Sequence, residues 1–231
     1  MRLGCAAELV PEGATLLDVG TDHGYLPAKL ILDGKIPMAG AADINADPLA
    51  KAVATAEKYG VSENMSFYLS DGLAKIPDLH RYSCISICGM GGELIARILA
   101  DAPYVRENKV SLVLQPMSSA EELSVYLATE GYRITDERIV FAAGKLYRVI
   151  AAVYDGAVRN LTTVEHILGK DNIDKGVSQK YFDMFLLKNI TKYKRICDGK
   201  KAGGVDSADD LKILDELCAI AQREGIEYDN T

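Results

Sequence analysis

No apolar run in this 231-residue chain is long enough to span a bilayer, and no secretory signal pattern follows Met1. An integral membrane or exported protein is therefore not expected. Nor is there a Cys-x-x-Cys pair: Cys5, Cys84, Cys88, Cys197 and Cys218 are scattered and odd in number, with only three histidines beside them. That pattern argues against a disulfide framework and a zinc site, and the expectation is a cytoplasmic protein with free thiols and no metal. Internal repeats and low-complexity segments are also missing. Positive charge is short overall, the net charge being −7, which at first speaks against a nucleic-acid partner. The deficit is uneven, however. Residues 1–158 carry −6 and residues 202–231 carry −6, whereas residues 159–201 carry +5. A basic stretch near the C-terminus is thus set between acidic surroundings.

What the chain does contain is a regular alternation. Short apolar runs predict strands over 15–19, 39–43, 65–69, 84–88 and 110–115, with helices over 24–33, 46–59, 91–101 and 119–130 between and after them. Two further strands, 132–141 and 145–153, follow directly on one another through Ala142-Ala143-Gly144 and read as a hairpin. The expected fold is α/β, a mostly parallel Rossmann-like sheet covered on both faces, closed by an antiparallel strand. Beyond Asp155-Gly156 the character changes. A helix is predicted over 178–198, with Phe182, Phe185, Leu186, Tyr193 and Ile196 on one face, broken by Gly199-Lys200-Lys201-Ala202-Gly203-Gly204. A second, capped near Asp206 or Ser207, runs to about 224 with Leu211, Leu214, Leu217, Cys218 and Ala221 aligned. The pair makes an antiparallel helical hairpin, giving segments 1–155 and 156–231.

Chemistry-bearing residues gather at the strand ends. Asp18 ends the first strand, and Gly20 lets backbone approach a ligand. In the turn that follows, Asp22 stands where the second glycine of a G-x-G-x-x-G fingerprint would be. A carboxylate there is poor for a pyrophosphate and good for a sulfonium or ammonium cation, which points to S-adenosylmethionine and away from a dehydrogenase. Asp43 ends the second strand, placed to accept ribose hydroxyls, and Asp71-Gly72 follows the third, where a carboxylate can accept from an adenine amino group. A single Asp is more often a turn or cap residue; three in the same register favour a ligand. Thr21, Ile44, Gly89 and Met90 adjoin these positions and complete the cofactor candidates.

Gly91 and Gly92, in Cys88-Gly89-Met90-Gly91-Gly92, would admit a flat base, or serve only as a packing turn. Gln115-Pro116, closing the fifth strand, can read the pairing edge of a base or simply cap a helix. His23 reads equally as a cofactor contact, a proton carrier or a hydrogen-bonded loop residue. Lys188, Lys192 and Arg195 recur at helical spacing beside the apolar stripe of the late helix. On their own they describe a solvated face, though one suited to phosphates.

Asp-Val-Gly-Thr-Asp-His-Gly-Tyr-Leu-Pro (18–27), Ser-Asp-Gly-Leu (70–73), Gly-Met-Gly-Gly (89–92), Leu-Gln-Pro (114–116) and Gly-Lys-Leu-Tyr (144–147) fall in an order that resembles the TrmK family. These are bacterial tRNA methyltransferases acting on N1 of adenine 22. The resemblance spans about residues 2–153, while the helical hairpin is a looser match to the family's coiled-coil domain. It implies a class I methyltransferase fold, S-adenosylmethionine as cofactor and tRNA as acceptor, held in part by the basic hairpin. With Asp22 and His23 nearest the chemistry, the expected step is in-line methyl transfer to an unstacked adenine. A monomer is expected. Departures are Met117 where the family usually has Asn, Gly24 for Ala, Asp43 for Glu, and a start at Met1 with little of the preceding helix, as from a truncated or re-annotated start. The same residues leave room for a methyltransferase acting on another RNA, a protein or a small molecule, and for a non-catalytic cofactor-binding partner protein.

Overall fold

The computed structural model describes residues 2–228; Met1 and residues 229–231, the outer ends of the two expected segments, lie outside the described residues. Seven strands form one sheet: β1 (Thr15–Val19), β2 (Met38–Asp43), β3 (Met65–Leu69), β4 (Cys84–Gly91), β5 (Ser111–Ser118), β6 (Tyr132–Ala142) and β7 (Lys145–Tyr154). Their order is β3-β2-β1-β4-β5-β7-β6. Neighbours among β1 to β5 are parallel, and β7 runs antiparallel to both β5 and β6. The chain order therefore reverses between β1 and β4, where open α/β sheets leave a crevice for ligands.

Burial on both faces explains the near-continuous apolar strands. Side chains alternate: Leu17, Ile85 and Ile87 join the core on one face, Leu16, Cys84 and Val113 the core on the other. The first face is covered by α4 (Gly92–Ala100), α5 (Pro103–Glu107) and α6 (Ala120–Thr129). The second is covered by α1 (Arg2–Leu9), α2 (Tyr25–Leu32) and α3 (Ala46–Tyr59). The 143–144 turn joins β6 to β7 with both residues at positive φ, 50° and 73°, as a tight hairpin demands.

The C-terminal helices are α7 (Thr163–Leu168), α8 (Lys170–Lys175), α9 (Phe182–Ala202) and α10 (Ala208–Arg223). Phe182, Phe185, Leu186, Leu217 and Ala221 form a core with Val164 and Leu168, seated on Ile139 of β6. Beneath it Arg148 and Glu137, both almost fully buried, pair at 2.5 Å. Arg148 Nη1 also donates to the His166 carbonyl at 2.6 Å, tying the sheet's hairpin to α7.

Some expected boundaries change. Helix α9 continues through Gly199 to Ala202, and the chain turns only at Gly203-Gly204. A helical glycine costs roughly 1 kcal/mol, which packing of Tyr193 and Cys197 and the Lys200–Asp210 ion pair offset. Strands β4 and β5 run on to Gly91 and Ser118 because Met90 pairs with Pro116 across a bulge at Gly89, whose φ is 83°. Helices α1, α5, α7 and α8 were not anticipated. The signature was present for α7, since Thr162 and Glu165 form a reciprocal capping box.

Candidate active site

Strand β1 delivers Asp18 into the middle of the sheet, beside Ala41 on β2 and Ser86 on β4. Parallel in-register strands point these side chains the same way, and Ser86 Oγ donates to Asp18 Oδ1 at 2.6 Å. Asp18 is 5% exposed. Burial raises its pKa to about 6; the Ser86 hydrogen bond opposes that rise and the nearby Asp43 adds to it.

The turn after β1 needs three residues at positive φ: Gly20 at 71°, Asp22 at 51° and Gly24 at 67°. Aspartate tolerates this region better than most residues, so the carboxylate at 22 is compatible with the turn. A Cβ at Gly20 would meet only the flexible tip of the Met90 side chain, so the turn's backbone angle rather than space calls for glycine there. The amides of Gly20 and Thr21 both donate to the Ala42 carbonyl, at 2.8 and 3.1 Å, which fixes the loop against β2. His23 Nδ1 lies 2.8 Å from Asp22 Oδ2, and its ring stacks on Tyr25 at 5.3 Å with planes 5° apart. An acid on one side and an aromatic face on the other thus hold the imidazole.

A cavity of about 300 Å³ opens here. Of the residues singled out in the sequence it brings together Asp18, Gly20, Thr21, Asp22, His23, Gly89 and Gln115. The other candidates lie around it. Asp43 is buried at the end of β2, where Oδ1 accepts from the Asn45 amide at 2.9 Å, and Ile44 beside it is exposed. Asp71 is exposed, and Gly72 packs against Ile98. Met90 packs on Gly20, and Gly91 sits 3.3 Å (measured from an added Cβ) from Ser118 Oγ. Gly92 has a packing role of its own, since a Cβ would strike the Ser119 backbone at the α4–α6 contact. Pro116 faces a second cavity of about 340 Å³, between β5, β7 and α9, which Lys188 and Lys192 also line. Lys192 Nζ lies 3.2 Å from Glu121 Oε1. Arg195 is exposed and lines neither cavity.

Sequence reasoning missed several residues of the first cavity: Arg2, Leu3, Tyr25, Leu26 and Cys88. Tyr25 and Leu26 sat inside the quoted motif and could have been found there. Arg2 and Leu3 reach the site only because α1 packs beside β4 and β5, which no local pattern announces. Met117 lines both cavities.

The site suits a ligand with a cationic centre and an adenosine. Asp18 and Asp22 supply carboxylates, Gly20 and Gly89 bring bare backbone to the surface, and the Thr21 hydroxyl is buried beside Asp18. Among the described residues no group of three or more His, Cys, Asp or Glu could hold a metal ion. A sheet of this order, with an acid-bearing glycine turn at its reversal point, defines a class I methyltransferase.

Residues 1–150 match the family described as a methyltransferase domain. The tRNA (adenine(22)-N(1))-methyltransferase of Bacillus subtilis is 37% identical over 162 residues, covering 67% of this chain and 68% of that protein. A protein of Streptococcus pneumoniae provisionally classed as a tRNA (m1A22) methyltransferase, solved with S-adenosyl-L-methionine, superposes with a TM-score of 0.80 at 30% identity, covering 94% of this chain and 97% of that one. The B. subtilis m1A22 tRNA methyltransferase TrmK superposes with a TM-score of 0.76 at 28% identity, covering 97% and 95%. This chain belongs to the TrmK family of tRNA (adenine(22)-N(1))-methyltransferases.

Proposed function

We infer that this protein transfers a methyl group from S-adenosylmethionine to N1 of adenine 22 in tRNA, giving 1-methyladenosine. The observation that carries this reading is the cavity at the ends of β1, β4 and β5, lined by carboxylates and joined at Met117 to a lysine-bearing groove. The cofactor supplies an electrophilic methyl on a sulfonium. Asp18 and Asp22 would hold its cationic centres, and Asp43, with Oδ1 on the Asn45 amide, would keep Oδ2 for a ribose hydroxyl.

Neutral adenine already has a lone pair at N1, so no strong base is needed. The protein's contribution is to position the base and exclude water. Gln115 uses Nε2 on the Pro116 carbonyl at 2.7 Å, which leaves Oε1 to accept from the adenine amino group. Charge grows on the base as N1 is alkylated, and Asp22, held by His23, stabilises it. Residues 156–231 act as a tRNA-contacting domain beside the 1–155 methyltransferase domain, using Lys188, Lys192 and Arg195 against phosphates. The protein works as a monomer, without a metal, in the cytoplasm where tRNA is processed. Among the described residues no helix is long and apolar enough to cross a membrane.

One observation favours a second reading. Met117, 42% exposed at the junction of the cavities, offers a thioether where an amide would hydrogen-bond a base, and a different RNA acceptor would fit it as well. Labelled S-adenosylmethionine, an unmodified tRNA transcript and chromatography of the digested nucleosides separate the two. Label in 1-methyladenosine supports tRNA as acceptor; intact cofactor binding with no label in tRNA contradicts it.

A further inference from the structure

Seven of the ten arginines have a carboxylate within ion-pair distance; among the described residues Arg2, Arg97 and Arg195 have none. Of those three, only Arg2 lines the active-site cavity. Its surroundings are unusual for an arginine of structural use. Nη1 donates to the sulfur of Met117, a weak acceptor, and Cζ lies 5.0 Å above the Tyr147 ring. A cation held over an aromatic face is not neutralised by it, and the guanidinium N–H groups directed away from the ring stay free to make a forked contact. Met117 lines both cavities, and Tyr147 lines the second, the one that Lys188 and Lys192 also line. Arg2 therefore stands on the lip shared by the lysine-bearing groove and the carboxylate-lined cavity.

A strand that lies in the groove and turns one base into the cavity must pass this lip, and the group passing there is a phosphodiester. Flipping moves the base by rotation about its own backbone, so an arginine that grips the flanking phosphate holds the rotated state. We propose that Arg2 is a substrate-binding residue that clamps the phosphate next to the target adenosine. Tyr147 holds its guanidinium over the ring, and the Met117 thioether is the partner that phosphate displaces. The inference rests on the tRNA methyltransferase reading and adds to it the route by which the nucleotide enters. A carboxylate of the cofactor is the competing anion, and the test separates the two.

The test uses the full chain with Arg2→Gln and Arg2→Lys, a tRNA transcript, and the same transcript assembled with a neutral methylphosphonate on either side of the target adenosine. Arg2→Gln is expected to raise the KM for tRNA roughly 10- to 100-fold, the range for a lost charge-assisted contact. Its cofactor dissociation constant, read by calorimetry, should stay within about twofold, and Arg2→Lys should restore part of the loss. One methylphosphonate should cost the wild type a similar factor and cost Arg2→Gln nothing more. Losses that multiply at both phosphates, or a cofactor affinity that falls with the tRNA KM unchanged, overturn the proposal. Wild-type turnover on the unmodified transcript checks the parent reading separately; its absence overturns both.

Discussion

Asp18 illustrates how a residue can be costly to the fold and useful to the site. Its folded pKa of about 6 lies above its ordinary value of 3.8, so the folded state holds the proton more tightly than the unfolded chain. Stability from this group is complete below pH 3.8 and is lost as pH rises to about 6, leaving a burden of about 3 kcal/mol at neutral pH. A cationic cofactor held at Asp18, as proposed above, would recover part of this by binding the ionised form. Asp18→Asn is therefore expected to raise the thermal midpoint of the cofactor-free protein at pH 7 and to weaken cofactor binding. Wild-type cofactor affinity should fall by up to tenfold per pH unit below pH 6, and the variant's should be flat between pH 5 and 7. Calorimetric titrations at three pH values check this; parallel slopes would show that Asp18 does not face the cation. The acid itself was legible in the sequence, because an apolar run ending in Asp before a glycine turn is a local pattern. Ser86 was not, since its role depends on which strands become neighbours.

At the scale of elements, the β6–β7 hairpin is the join between the sheet and the C-terminal helices. Burial raises the Glu137 pKa while Arg148 opposes it, and Arg148 Nη2 and Glu137 Oε2 have no hydrogen-bond partner. Removing one charge strands the other. Glu137→Gln should destabilise the protein by about 3–5 kcal/mol in urea unfolding, and Glu137→Leu with Arg148→Met should recover most of it. Equal loss in the single and double variants would contradict a pairing role. Gly92→Ala makes a separate case, because its Cβ meets backbone that cannot swing aside. It should lower the thermal midpoint without changing cofactor affinity in the protein that remains folded. Element types and the hairpin were readable from periodicity and turn chemistry. Helix α9 ran past its expected stop because tertiary packing outweighed Gly199. Helices α7 and α8, six residues each, were too short to show a period.

Over the whole molecule, net charge and local charge tell different stories. The acidic body suits a cationic cofactor, and the basic stretch of α9 brings Lys188 and Lys192 to the groove that meets the cavity at Met117. Changing Lys188, Lys192 and Arg195 together to Glu should weaken tRNA binding at least tenfold at about 0.1 M salt and leave cofactor binding unchanged. Filter binding and calorimetry read the two affinities, and an unaltered tRNA affinity would remove these residues from the interface. The basic stretch could be seen in the sequence, but its position could not. Only the fold turns one face of α9 toward the strand ends while leaving Arg195 exposed outside both cavities.

A methyl group on N1 blocks the pairing edge of adenine, so reverse transcriptase halts beside it. The most direct measurement is primer extension across a tRNA transcript after incubation with the protein and S-adenosylmethionine. A stop next to position 22 is expected that needs both protein and cofactor and disappears when that adenine is replaced by guanine. Full-length extension from a transcript incubated with cofactor-bound protein, or a stop at another nucleotide, would contradict it.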